Sequence, residues 1–139
     1  MQLVVLGLNH KTVPVDIREQ FAISPDSARS GLIHLDEQEG IEEAVVLSTC
    51  NRTEIYAVLK DETAKETLYD FFLALSGNSE AKDEYFFYFE GEACIRHLFE
   101  VVSGLDSMVI GESQILNQIK TAYTMALEEK ATRTILNTL

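Results

Sequence analysis

Cys50 lies in the stretch STCNRTEIY, two residues before Arg52 and between two apolar runs. Its neighbours Thr49, Asn51, Thr53 and Glu54 are polar company that a core cysteine seldom keeps. A thiol is only a few per cent ionised at neutral pH, and a nearby cation raises that nucleophilic fraction. If the backbone stays extended, Cys50 and Arg52 point to the same side. A half-buried bystander thiol would show the same residue types, so both readings stand. Cys94 sits among Ile95 and Leu98 on a helical pattern and reads as a buried structural thiol.

His97 falls at the border of the apolar stripe Ile95, Leu98, Phe99 and Val102. There an imidazole is either an ordinary edge residue or a proton donor for a leaving alkoxide or amine. His10, just after the first strand, and His34, in an acidic amphipathic helix, are weaker competitors. A third region is GLDSMVIGESQILNQIK. Ser107 stands in its loop. A helix start around Glu112 and Ser113 would turn N–H groups toward an anion or a developing oxyanion. Gln114 and Gln118 share one side of that helix and are able to bind a polar substrate, although a solvated face is the plainer reading. Two cysteines without CxxC or Cys/His spacing argue against structural zinc.

These residues need elements to hold them. LVVLGL reads as a buried strand. Ser24-Pro25-Asp26 caps a helix carrying Ala28, Leu32, Ile33 and Leu35. AVVLST and EIYAVL form two strands joined by the cysteine segment, with Ile55, Ala57 and Leu59 on one face of the second. Ala64 to Ser76 is a helix stopped at Gly77-Asn78, and YFFYFEG is a fourth strand. The order β-α-β-β-α-β predicts an α+β ferredoxin-like sandwich with an antiparallel sheet, helices on one face, and additional C-terminal helices. One stripe (Ile95, Leu98, Phe99, Val102) and another (Ile115, Ile119, Ala122, Tyr123, Ala126, Leu127) mark those helices.

The whole of residues 1–139 reads as a single domain without a bilayer-length apolar run. The N-terminus has the look of a first strand rather than a signal peptide, and cysteine usage fits a reducing cytoplasm. A net charge of −12, from 23 acids against 11 bases, excludes a general nucleic-acid binder. The acids gather in segments such as DEQEGIEE, while the motif-bearing segments are nearly balanced, so any anionic partner is met at a local site.

Three blocks together carry a family resemblance: GLNHKTVPVDIRE (7–19), STCNRTEIY (48–56) and RHLFEVVSGLDSMVIGESQILNQIK (96–120). In these blocks, and along essentially its full length, the chain resembles the N-terminal catalytic domain of glutamyl-tRNA reductases. The resemblance implies that Cys50 attacks the ester of glutamyl-tRNA to form a thioester, which NADPH reduces to glutamate 1-semialdehyde, opening C5-pathway tetrapyrrole (porphyrin) synthesis. It implies His97 as a residue important for activity. Thr49, Asn51 and Arg52 would contact substrate, Arg52 pairing its carboxylate, with Ser107, Glu112, Ser113, Gln114 and Gln118 completing the pocket. It further implies a homodimer formed through a C-terminal domain and glutamate-1-semialdehyde aminomutase as a partner. The family also carries an NADPH domain, for which this sequence has no GxGxxG turn, so the expectation is a catalytic domain cut before both others.

GESQ stands where the family commonly has proline in place of Ser113, and VPV where alanine often precedes the proline. Neither touches Cys50, Arg52 or His97. Two rival readings are a cysteine acyl hydrolase or transferase, and a non-catalytic ferredoxin-like binding module.

Overall fold

The computed structural model describes residues 1–79, 82–103 and 114–137. Four strands, β1 (Gln2–Asn9), β2 (Ile41–Ser48), β3 (Arg52–Leu59) and β4 (Phe87–Glu90), form one sheet in the order β2-β3-β1-β4. Every neighbouring pair is antiparallel. The fourth strand is shorter than YFFYFEG suggests, because Asp83–Tyr85 forms a 3-10 turn before it.

Helices α1 (Val15–Gln20) and α2 (Pro25–Ile33) connect β1 to β2, and α3 (Lys65–Ser76) connects β3 to β4. The Ser27 N–H donates to Ser24 Oγ at 3.1 Å with Pro25 at the first helical position, so α2 begins where the SPD signal puts it. Gly77 ends α3 in the left-handed region at φ 73°, a conformation glycine adopts without steric cost. One sheet face, with Val4, Leu6, Leu8, Ile55, Ala57 and Leu59, packs on Leu32 of α2 and Leu68 and Phe72 of α3.

The opposite face is covered as well. α4 (Glu92–Val102) lies against β1 and β4, and its Cys94 packs with Val5 and Tyr56. All eight residues of β3 are therefore buried, so the sheet is a middle layer rather than one half of a two-layer sandwich. α5 (Gln114–Glu128) flanks β2: Ile115 and Ala122 meet Leu47 and Val101, while Ala126 reaches the main core. Leu127, expected on that stripe, is exposed. The chain then returns to the free edge of β2. The Ala44 N–H donates to the Ala131 carbonyl at 2.8 Å. Glu43 accepts the N–H groups of Arg133 (2.5 Å) and Leu136 (2.9 Å) around the short α6 (Thr134–Asn137).

The stripe expected on α4 is displaced by one position. Cys94, His97 and Val101 are buried, whereas Phe99 is 69% and Val102 37% exposed. One residue is a rotation of about 100° about the helix axis. The polar contact of His97 with the sheet, described next, fixes that rotation against the purely apolar preference.

Candidate functional site

Chain reversal at the end of β2 begins with sequence: Thr49, Cys50 and Asn51 are short or polar residues that close a turn between two apolar strands. Thr49 N–H donates to the Arg52 carbonyl at 2.7 Å, and Asn51 N–H donates to Thr49 Oγ1 at 3.1 Å. The turn leaves Cys50 exposed. Arg52, the first residue of β3, is fully buried. Cys50 and Arg52 thus diverge, because the backbone turns rather than staying extended and a buried carboxylate holds the guanidinium inside.

That carboxylate is Glu54, wholly excluded from solvent. Arg52 Nη1 donates to its Oε2 at 3.2 Å, Tyr56 O–H donates to its Oε1 at 3.0 Å, and His97 Nε2 lies 2.6 Å from its Oε2. Arg52, Glu54 and Tyr56 are spaced by two along β3, hence on one face, and α4 delivers His97 to the same point. Gly7 stands opposite Glu54 across β1–β3. A Cβ on Gly7 would lie 2.7 Å from the Thr53 carbonyl oxygen and 2.9 Å from Glu54 Cγ, so the strands approach here only because position 7 has no side chain.

An ionised carboxylate only accepts hydrogen bonds. An ionised Glu54 pairs with the His97 tautomer that carries its proton on Nε2, the one in which Nδ1 is the acceptor of the neutral ring. Burial, and then the Glu54 charge, push the Cys94 thiol up to about 12. The same two causes raise the Tyr56 phenol well above its ordinary value. Cys94 is therefore an inert thiol, as its helical setting predicts.

Phe87 and Phe89 stack at 5.2 Å and lie 4.8 and 5.3 Å from the His97 ring. His97 opens on a groove of about 390 Å³ shared with Asn9, Lys11 and Arg96. A second cavity, about 500 Å³, lies beside Ser48 and is lined by Asn117, Gln118, Leu47 and Met125. So Thr49, Cys50 and Asn51 share the turn, Arg52 and His97 meet through Glu54, and Gln118 borders the space next to Ser48. Ser107, Glu112, Ser113 and the Gln114 side chain lie outside the described residues. His34 is exposed and contacts Glu37 at 3.1 Å on the surface.

Glu54, Tyr56 and Gly7 are the residues the motif reading passed over. The signal lay in the spacing: Arg52, Glu54 and Tyr56 recur with period two on a strand buried on both sides, and buried polar groups on one face need partners there. Among the described residues no group of three or more His, Cys, Asp or Glu is placed to hold a metal. The described strands offer no parallel strand-to-helix turn rich in glycine, so these residues do not fit a dinucleotide.

An antiparallel α/β domain that shows a thiol at a strand turn and keeps an Arg–Glu–His cluster behind it defines the general class. Comparison makes it specific. Residues 6–139 match the family model described as "Glutamyl-tRNAGlu reductase, N-terminal domain", and the chain belongs to that family. It is 46% identical to the glutamyl-tRNA reductase of Pelobacter propionicus over 139 residues, covering 99% of this chain and 32% of that protein. It is 48% identical to the Exiguobacterium sp. enzyme, covering 100% of this chain and 32% of the relative. The solved glutamyl-tRNA reductase of Methanopyrus kandleri superposes with a TM-score of 0.77 at 32% identity, over 96% of this chain and 30% of that one. The chain thus spans about a third of the length of these relatives.

Proposed function

We propose that this domain takes the glutamyl group from glutamyl-tRNA onto Cys50. The Cys50 sulfur attacks the ester carbonyl; a C–S bond forms, the C–O bond to the ribose breaks, and the tRNA hydroxyl leaves with a proton. No electron transfer occurs in that step. A thioester carbonyl is less resonance-stabilised than an oxygen ester, which prepares it for reduction to glutamate 1-semialdehyde. The hydride for that reduction would come from NADPH held outside these residues.

The observation that carries this reading is the exposed Cys50 on a turn whose next residue but one, Arg52, is locked to Glu54 and through it to His97. His97, with Nε2 turned to Glu54, has Nδ1 to take the Cys50 thiol proton and pass it to the leaving ribose oxygen. Thr49, Asn51 and Gln118 contact the glutamyl group, while Ser107, Glu112, Ser113 and Gln114 are substrate positions by family match alone. Arg52, enclosed as it is, meets a substrate carboxylate only when the groups covering it move aside. The strand order β2-β3-β1-β4 with all pairs antiparallel supports the ferredoxin-like topology inferred from the element order. A homodimer of the longer protein, transfer of the reactive aldehyde to an aminomutase and a cytoplasmic setting complete the reading. Among the described residues no helix is long and apolar enough to cross a membrane.

The test is acyl trapping. Glutamyl-tRNA carrying labelled glutamate is mixed with the protein, quenched in acid and digested. Label on the Cys50 peptide, absent in Cys50→Ser, is the expected result; label of equal yield in Cys50→Ser would refute the assignment.

A further inference from the structure

We propose that the groove beside His97 seats the 3′-terminal nucleotide of the aminoacyl-tRNA, its phosphate on Arg96 and Lys11 and its base on the Phe87–Phe89 wall. The inference rests on the acyl-transfer reading above and extends it to the part of the substrate that does not react.

Charge points there first. The chain has 23 acids to 11 bases, yet this groove is lined by two fixed cations, Lys11 and Arg96, against one acid, Glu100. Arg96 lies on the outer side of α4, exposed, with no ion pair among the described residues. A guanidinium at the rim of a half-apolar groove suits a phosphate, which it grips with paired N–H groups. Shape and surface follow. Phe87 and Phe89 are half-buried and stacked together, presenting aromatic surface that is not used up by the core. Aromatic walls with a neighbouring cation are how proteins hold an unpaired nucleotide without reading its sequence.

Position completes the case. Asn9 lines the groove and is the direct partner of Arg52 across β1–β3. Cys50 is two residues from Arg52, at most about 7 Å of extended chain. His97 lines the groove and also touches Glu54. A terminal ribose with its 3′ oxygen at Cys50 therefore has this groove within reach of its own base and phosphate. The acidic remainder of the chain keeps the rest of the tRNA off non-specific surfaces, which explains how a protein of charge −12 handles a polyanion.

Arg96→Gln tests the assignment with two acyl donors, glutamyl-tRNA and a small glutamyl thioester that has no nucleotide. The expected result is acylation of Cys50 by glutamyl-tRNA slowed about tenfold or more, with the thioester rate changed less than about twofold. Lys11→Gln should move the same way. Equal slowing with both donors, or no slowing with either, would overturn the nucleotide seat. Failure of the unsubstituted protein to be acylated by either donor would instead refute the acyl-transfer reading. In that case binding of a labelled CCA trinucleotide still decides the groove: binding weakened by Arg96→Gln supports it, and no binding, or NADP⁺ displacing the trinucleotide, overturns it.

Discussion

Glu54 Oε2 sits 2.6 Å from His97 Nε2 and 3.2 Å from Arg52 Nη1, so a single buried oxygen joins the helix that bears the histidine to the strand that follows the cysteine turn. The contact explains two features at once. It turns α4 so that His97 rather than Phe99 faces the sheet, and it draws Arg52 inward, away from the exposed thiol. Glu54 is a positioning residue: its own oxygens are out of solvent, and it acts on any substrate only through its partners.

Glu54→Gln should be costly for that reason. The substitution keeps the shape but removes the charge that Arg52 Nη1 and His97 Nε2 both meet. Breaking one side of a buried pair costs about 3–5 kcal/mol, and the amide oxygen that remains should hold the loss to about 3 kcal/mol. Urea denaturation followed by far-ultraviolet dichroism measures it. A midpoint equal to that of the unsubstituted protein would show that Glu54 does not hold the cluster together.

The two thiols should separate by reactivity. Cys50 is exposed, and Cys94 is buried with its thiol pushed up to about 12. Iodoacetamide at pH 8 with peptide mapping should alkylate Cys50 in the folded protein. Cys94, with its thiol pushed up to about 12, should stay unlabelled in the folded protein and react only in denaturant. Comparable labelling of both in the folded state would mean that α4 does not seal Cys94 against β1 and β3.

Alkaline stability carries a sign that follows from the same burial. Cys94 is raised from its ordinary 9.0 to about 12 in the folded protein. Below pH 9 the thiol is protonated in both states and its contribution is complete. Between 9 and 12 the unfolded chain releases the proton and the folded one does not, so stability falls by up to about 1.4 kcal/mol per pH unit. Tyr56, also raised, adds to the decline above pH 10. Cys94→Ala should remove about 2–3 kcal/mol of the loss seen between pH 8 and 11. Parallel curves for the two proteins would contradict the shift.

Close approach at Gly7 gives a further test. In Gly7→Ala the new methyl carbon would meet the Thr53 carbonyl at 2.7 Å, a backbone atom in the middle of a sheet that cannot swing aside. Overpacking of this kind costs about 1–3 kcal/mol. Because Glu54 Cγ is the other atom in the way, the penalty should shrink in Gly7→Ala/Glu54→Ala relative to the sum of the single changes, a coupling that a double-mutant cycle in urea reads out. Strict additivity would mean that Glu54 Cγ takes no part in the clash and the Thr53 carbonyl carries it all.

Sequence made the strands, the Ser24 cap, the Gly77 stop and the Cys50 turn readable because each rests on local chemistry or on period-two and helical spacing. What it hid depends on pairing across the sheet. Arg52 looks like a surface cation until Glu54 is known to lie beneath it, and Gly7 looks like any strand glycine until β3 is set opposite. The α4 face was misjudged because counting apolar residues favours Ile95, Phe99 and Val102, whereas one buried ion contact outweighs that preference by tying His97 to the layer below. Thr49, Cys50 and Asn51 share a turn because they are sequence neighbours; Gln118 borders the cavity beside Ser48 only through the way α5 flanks β2.

The rotation of α4 is itself open to measurement. Phe99 projects outward, so Phe99→Ser should leave the unfolding free energy within about 0.5 kcal/mol of the original. Val101, completely buried against Leu47 and Ile115, should cost about 2 kcal/mol as Val101→Ala, from lost methyl burial plus the cavity left behind. The apolar count alone predicts the opposite order, with Phe99 the larger loss because its ring is the larger side chain. If Phe99→Ser destabilised the protein more than Val101→Ala, His97 would be turned away from Glu54, and the proton route assigned to its ring would lose its anchor.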